Sequence, residues 1–509
     1  MTQYHSNQRP SRRSLLKLAG TVGLAAGAAA VSGTTRAAAA PAPAFAHPGL
    51  LHAQADLDRI TAKVNADAQP YLAGWQRLTA NRHAQSGWKA NPQAVVYRGG
   101  DVSQNFPTLY NDVHAAYQNA LRWRVSGDRA HGDAARDILN AWSGTLKQVT
   151  GSADRFLVAG IQGYQFANAA ELMRGYPGFD LDRFKTMMLQ VFYPVCDDFL
   201  RHHNGAFITN YYASWDLLAL CCVFATGVLC DDRAKVDQAV EYYRNGAGNG
   251  SLKHAIPYVH PGGLAQFQES GRDQGHCTLS VGLMGALCEM AWNQGIDLYG
   301  EDDNRFLKGA EYVAKYNLGE DVPFTRLTFQ QGAPGVWSKT VDDTAPSADG
   351  RGDLRPIWAM IQNHYVNRRG LAAPYSTAMA AKVGAEGGGG DYGPNSGGFD
   401  QLGFGTLAFT RDNAAAQVPP SVPAGSAAGS AAGPSAGPSA SAGAPAATPG
   451  GAAGTSAPAR PSPAGAPAEG LAASGSHDLI PLTGVGLLAV GGGVLALRAR
   501  ARRKGTHRA

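Results

Sequence analysis

The sequence predicts an all-α protein built as an (α/α) toroid, an incomplete barrel of paired helices. Three observations carry that reading. Apolar residues recur at spacings of three and four through a long series of segments. Several segments open on Asp, Asn or Ser and close on Gly, as helix ends require. Alternating, strand-like segments are scarce. Helices of this length, joined by short Gly/Asp turns, pack as pairs around a central groove.

The series begins with DLDRITAKVNADAQPYLAGWQRL from Asp56 and TLYNDVHAAYQNALRWRVSG from Thr108. DRAHGDAARDILNAWSGTL starts at the capping Asp128, and YQFANAAELMRG follows from Tyr164. ASWDLLALCCVFATGVLC (Ala213 to Cys230) and CTLSVGLMGALCEMAWNQG (Cys277 to Gly295) are apolar helical stretches. KVDQAVEYYRNG and DNRFLKGAEYVAKYN complete the set with mixed faces. Trp123, Trp142 and Trp292 fall in the helical stripes and read as core. The span from His47 to Asp412 is long for one domain, though toroids reach this size.

The two ends read as addresses. SRRSLLKLAG, with Arg12 and Arg13, leads into an Ala/Gly-rich run and the small residues RAAAAPAPAFA. This resembles a twin-arginine export signal over residues 1–40, and implies the twin-arginine translocase as a partner. At the far end, IPLTG (Ile480 to Gly484) precedes a Gly-rich apolar run to Leu497 and the basic RARARRK. That order resembles a sortase sorting signal over 479–509, which implies joining of Thr483 to peptidoglycan. The apolar run is shorter than the about 20 residues of an ordinary spanning helix, and a plain tail anchor is the alternative. Residues 413–478 are nearly all Ala, Gly, Pro and Ser, too poor in large apolar groups to offset ordering entropy, and read as a disordered stalk. Export and cell-surface attachment follow from either anchor, and membrane contact is expected only through the terminal segments.

Composition excludes several classes. The formal net charge is +5, much of it from the terminal arginine clusters, and no basic patch with interleaved aromatics points to nucleic acid. The six cysteines Cys196, Cys221, Cys222, Cys230, Cys277 and Cys288 lie in or beside apolar helices without CxxC spacing. They read as buried thiols rather than a metal site. The adjacent pair His202 and His203 cannot share a helix face, so it makes a poor metal site too. No phosphate-binding or dinucleotide fingerprint occurs.

Three polar clusters interrupt the helices: RHHNGAFITNYYASWD (Arg201 to Asp216), HAIPYVHPGGLAQFQESGRDQGH (His254 to His276) and IWAMIQNHYVNRRG (Ile357 to Gly370). Each sets His or Tyr beside an amide or Arg and aromatic rings. An acidic sugar chain calls for that mixture: rings to stack on pyranoses and paired donors for a carboxylate.

HPGLLH, SGD before AARDILNAW, YYASWD, QESGRDQGH, AWNQGIDLYG, EYVAKYN and FDQLGFGTL together resemble the alginate lyase superfamily of polysaccharide lyases. The similarity runs from His47 to Phe409, and ESGRDQGH with its spacing to AWNQG is its most specific part. It implies β-elimination on a 4-linked uronic acid polymer of the alginate or glucuronan type, with no metal or cofactor. The C5 carboxylate must be neutralised, a base must take the C5 proton, and an acid must protonate the leaving O4.

Carried over residue by residue, the resemblance assigns Arg272 to charge stabilisation or substrate placement. His276, one helical turn on, becomes the base or carboxylate neutraliser. Gln268, Glu269 and Gln274 either bind substrate or hold Arg272. Asn210 with Tyr211 and Tyr212 occupies the place of the family's groove amide and its His or Tyr. Here the sequence departs, carrying Tyr where relatives show Asn-His and Ser214 before Trp215. Asn210, Tyr211 and Tyr258 are thus further catalytic candidates, and Trp215, His364 and Tyr365 substrate-binding ones. Two rival functions remain at this level. A toroid glycoside hydrolase would use two carboxylates among Glu269, Asp273 and Asp216. A wall-attached protein could also hold polysaccharide without cutting it.

Overall fold

The structure, a computed structural model, describes residues 44–393 and 396–413. The expected export signal, stalk and sorting signal with Thr483 lie outside the described residues. No helix among the described residues is long and apolar enough to cross a membrane.

The helices are α1 (Gln54–Asn65), α2 (Tyr71–Ala80), α3 (Phe106–Ser126), α4 (Arg129–Thr145), α5 (Arg155–Leu172), α6 (Leu181–Met187), α7 (Tyr193–His202) and α8 (Ala213–Leu229). They continue as α9 (Arg233–Asn245), α10 (Leu252–Ala255), α11 (Gln274–Asn293), α12 (Glu301–Asn317), α13 (Trp358–Gln362), α14 (Pro374–Val383), α15 (Ser396–Phe399) and α16 (Gly405–Ala408). Helices α1, α3, α5, α8, α11, α13 and α16 touch in that order, and α16 returns to α1. The remaining long helices pack outside this circuit: α4 on α3, α7 on α5 and α8, α9 on α8, α12 on α11. The architecture is an (α/α) toroid, as the helical pairs predict.

Burial explains the two layers. In α8 every residue but Trp215 is buried, so this helix must be apolar on all sides, and its sequence is. In α9 only Val236, Ala239, Val240 and Tyr243 are buried, the single stripe of an outer helix. The ring is tight where glycine allows it. A Cβ on Gly160 of α5 would lie 2.1 Å from Leu218 of α8, and one on Gly163 would lie 2.6 Å from Cys222. Asp128, Asp180, Asp232 and Asp273 cap α4, α6, α9 and α11, each accepting a backbone N–H in the first turn. All six cysteines are free thiols, and all but Cys230 are buried.

Among the described residues, three two-stranded ribbons join the helices: β1 (Val95–Arg98) with β2 (Gln148–Gly151), β3 (Tyr258–Val259) with β4 (Ala265–Gln266), and β5 (Leu327–Ala333) with β6 (Trp337–Asp343). The first is parallel and the others antiparallel. The β5–β6 hairpin goes beyond the sequence reading. Its strands carry polar residues on both faces, which blurs the alternation that marks a half-buried strand.

Candidate active site

The polar run Gln268 to His276 sits where the N-termini of α8 and α11 come together. A helix N-terminus leaves backbone N–H groups without partners and carries partial positive charge. The run meets both needs. Gln268 Oε1 accepts the Ala213 N–H at 3.1 Å, and Glu269 Oε1 accepts the Ser214 N–H at 2.7 Å. Glu269 Oε1 also accepts the Ser280 hydroxyl at 2.7 Å, while Oε2 takes Arg272 Nη1 at 3.0 Å. Gln274 donates to the Ser347 carbonyl at 3.0 Å and accepts from Asn317 Nδ2 at 3.0 Å. Gln268, Glu269 and Gln274 are all buried. Of the two roles open to them, the structure gives them the internal one: they hold the helix ends and Arg272, and do not line the groove.

Arg272, His276 and Tyr212 are the partly open part of this cluster. The Arg272 guanidinium lies over the Tyr212 ring, 4.2 Å from its centroid. Its Nη2 is 3.1 Å from His276 Nε2, and its Nε is 3.4 Å from Asp273 Oδ2. Asp273 divides its two oxygens. Oδ1 caps α11 by accepting the His276 N–H at 2.8 Å, and Oδ2 stands 2.7 Å from His276 Nδ1. A guanidinium can only donate and a carboxylate only accept. His276 is therefore the Nδ1–H tautomer, with its Nε2 lone pair turned toward Arg272.

Burial would push the Asp273 carboxyl up, but the hydrogen bonds from His276 and the charge of the nearby Arg272 outweigh it and hold it below the usual range. Burial pushes the Tyr212 hydroxyl up to about 12 despite the Arg272 charge. The phenol is thus a proton carrier at neutral pH. Arg355 braces the start of α11 from behind, donating to the Gly275 carbonyl at 3.0 Å and to Asp400 at 3.4 Å.

The other expected site residues divide. Asn210 faces the β5–β6 hairpin: its Oδ1 accepts the Gly332 N–H at 2.7 Å and its carbonyl accepts Gln331 Nε2 at 3.1 Å. Tyr211 points away from Arg272. Its ring packs on Trp215 and Phe199, and its hydroxyl accepts Asn204 Nδ2 at 3.0 Å. Successive side chains in extended backbone turn to opposite sides, so the partner of Arg272 is Tyr212 and not Tyr211. Trp215 is half-buried, with its ring against Tyr211 and Phe199. Tyr258 is half-buried in β3, opposite Gln266.

His364 and Tyr365 do not belong to this site. They are buried in a π-helical turn after α13, His364 stacked on Tyr299 and Tyr365 edge-on to it, and His364 contacts Arg368, which binds Glu289 of α11. Glu289 is thirteen residues beyond His276 on one straight helix, roughly 20 Å at the ordinary rise. The widened turn carries these polar aromatics into the core at the opposite end of the ring. His202 and His203 also separate, toward Asp198 and the buried Asp216.

The three carboxylates that a hydrolase reading offers are all occupied. Glu269 has three partners, and Asp273 caps α11 and holds His276. Asp216 is enclosed by His203 (2.8 Å), Tyr242 (3.0 Å) and the Gly250 N–H (2.8 Å). Sequence reasoning missed Tyr212 as the Arg272 partner and Asp273 as the orienting carboxylate. The second was legible, because an N-cap Asp three residues before a His places carboxylate and imidazole together.

Residues 73–323 match the family model described as alginate lyase. Over that span the chain is similar to the alginate lyase family, and the helical domain is a polysaccharide lyase. Solved structures similar to the lyase include an alginate lyase from Bacteroides ovatus, at 13% identity and TM-score 0.46, covering 72% of this chain and 99% of that one. Another is alginate lyase A1-III from Sphingomonas species A1, at 14% identity and TM-score 0.44, covering 72% and 97%. A variant of A1-III complexed with a tetrasaccharide aligns at 15% identity and TM-score 0.42, over 70% and 94%. No curated protein matches the chain.

Proposed function

We propose that the lyase cleaves a 4-linked uronic acid polymer, of the alginate or glucuronan type, by β-elimination. The observation that carries this is the pairing of a guanidinium with a lone-pair-bearing imidazole and a protonated phenol on one partly open surface. In the proposed reaction Arg272 engages the substrate carboxylate and withdraws from His276, freeing Nε2. His276 takes the C5 proton, the resulting pair of electrons forms the C4–C5 double bond, and the C4–O4 bond breaks. The departing O4 takes its proton from the Tyr212 hydroxyl. Arg272 stabilises the charge that develops on the carboxylate, as oxyanion donors do. A tetrasaccharide bound to a variant of A1-III supports an anionic polysaccharide partner.

The test is a panel of alginate, glucuronan, heparan-type and pectic polymers read by ultraviolet absorbance of the unsaturated product. Arg272→Ala and His276→Ala are each expected to lower kcat by about a hundredfold or more. Release of new reducing ends without the chromophore would instead establish hydrolysis.

We further propose that the lyase works outside the cell, fastened to its surface. The paired Arg12 and Arg13 and the order of IPLTG, apolar run and basic tail support this. Fractionation of cells making a Thr483→Ala chain reads it. Loss of the protein from the wall fraction is expected, and unchanged wall attachment would rule out joining at Thr483.

A further inference from the structure

The β5–β6 hairpin packs beside the site, against Asn210 and Tyr212, and one of its faces continues the chemistry of the cluster. Its register pairs Phe329 with Val341, Gln331 with Lys339 and Ala333 with Trp337. Paired residues share a face, and so do residues two apart along a strand. Phe329, Gln331, Ala333, Trp337, Lys339 and Val341 therefore lie on one side. That side is turned to the site at its inner end, where Phe329 meets the Tyr212 ring edge-on at 5.6 Å and Gln331 donates to the Asn210 carbonyl. The edge of β5 is pinned by Phe207, whose N–H donates to the Gly332 carbonyl at 2.9 Å, and by the Thr209 hydroxyl on the Gln330 carbonyl at 2.7 Å.

Toward its tip the same face opens. Val341 and Phe329 are half-buried, whereas Lys339 and Trp337 are exposed. Val336, in the turn between the strands, is an exposed apolar residue as well. From Phe329 to Ala333, opposite Trp337, the strand advances about 14 Å, enough for a few sugar rings. A cation and an indole at that reach match the two features that repeat along a uronate polymer, carboxylate and pyranose face. We propose that this open strip is a subsite for the polymer beyond the cleaved link. Trp337 stacks on a sugar ring and Lys339 pairs with its carboxylate. The occupant is the polyanion, because the strip is continuous with Arg272 through Tyr212 and Phe329 and carries the complementary charge. This inference rests on the function proposed above and adds to it the place where the chain length of the substrate is felt.

The test uses the full chain with Trp337→Ala, Trp337→Phe and Lys339→Ala, on sodium alginate and polyglucuronate and on trisaccharides of each. Trp337→Ala is expected to raise KM for the polymer about tenfold with little change in kcat, and Trp337→Phe to restore most of it. Lys339→Ala should raise KM several-fold at low salt and little at high salt. Trisaccharide kcat/KM should stay unchanged in all three. Polymer KM unchanged in both alanine variants would overturn the subsite, as would an effect confined to self-association measured by sedimentation. Affinity electrophoresis in gels holding either polymer reads the strip without turnover. Absence of unsaturated product from the parent chain, with retardation still lost in Trp337→Ala, would sink the lyase chemistry and leave the subsite standing.

Discussion

At the residue scale the site depends on how one carboxylate is shared. Asp273 spends one oxygen on the start of α11 and the other on the His276 ring, so helix cap and imidazole tautomer are fixed by the same side chain. Asp273→Asn separates the two duties. The amide oxygen still caps the helix, but the NH2 group cannot accept from Nδ1. The imidazole is then driven to place its proton on Nε2, against Arg272. The expected result is a folded protein with kcat reduced by about a hundredfold or more, and unchanged circular dichroism. Residue identity was legible here: Arg272 and His276 stand out in the sequence as a charged pair one turn apart. Which of the adjacent tyrosines faces them was not, because it depends on where the extended backbone ahead of α8 stops and the helix starts.

At the level of elements, the polar run holds two helix ends together. Glu269 is fully buried, and it satisfies an amide of α8, a hydroxyl of α11 and the guanidinium between them. Truncation to Ala leaves an orphaned amide and a half-buried arginine without its main counter-charge. Glu269→Ala is therefore expected to cost about 3–5 kcal/mol in urea unfolding, and Glu269→Gln clearly less. The helices themselves were readable from periodicity, with the continuous apolar runs becoming the inner ring and the single-stripe segments the outer one. His364 and Tyr365 misled for a physical reason. Polar aromatics beside Asn and Arg look like a binding surface, yet their rings pack internally around Tyr299, and Arg368 ties His364 Nδ1 to Glu289. The hairpin escaped notice because both of its faces are partly polar.

For the whole molecule, the ring is closed by ion pairs between its first helix and its last residues. Arg411 reaches Asp56 of α1 at 2.8 Å and Glu289 of α11 at 3.3 Å. Arg59 and Arg368 supply second partners to the same two carboxylates. Burial would raise the Asp56 carboxyl, but Arg411 and Arg59 outweigh it and hold it down at about 2, below its ordinary 3.8. A depressed carboxyl stabilises the fold above its unfolded value and loses that contribution as pH falls toward the folded one. Stability should accordingly drop between about pH 4 and pH 2. Arg411→Ala is expected to lower Tm at neutral pH, by about 1–3 kcal/mol in stability, and to flatten that acid-limb slope, read by thermal melts across pH.

That closure also sets a direction. The described residues end next to Arg411, beside the far end of α11, while Arg272 and His276 stand at the near end roughly 20 Å away. A support that gripped the protein at Asn413 would hold it by the end of α11 opposite Arg272 and His276, with the cutting edge turned outward. Long, stiff polymers could then be fed to it without passing between the enzyme and whatever it is fastened to.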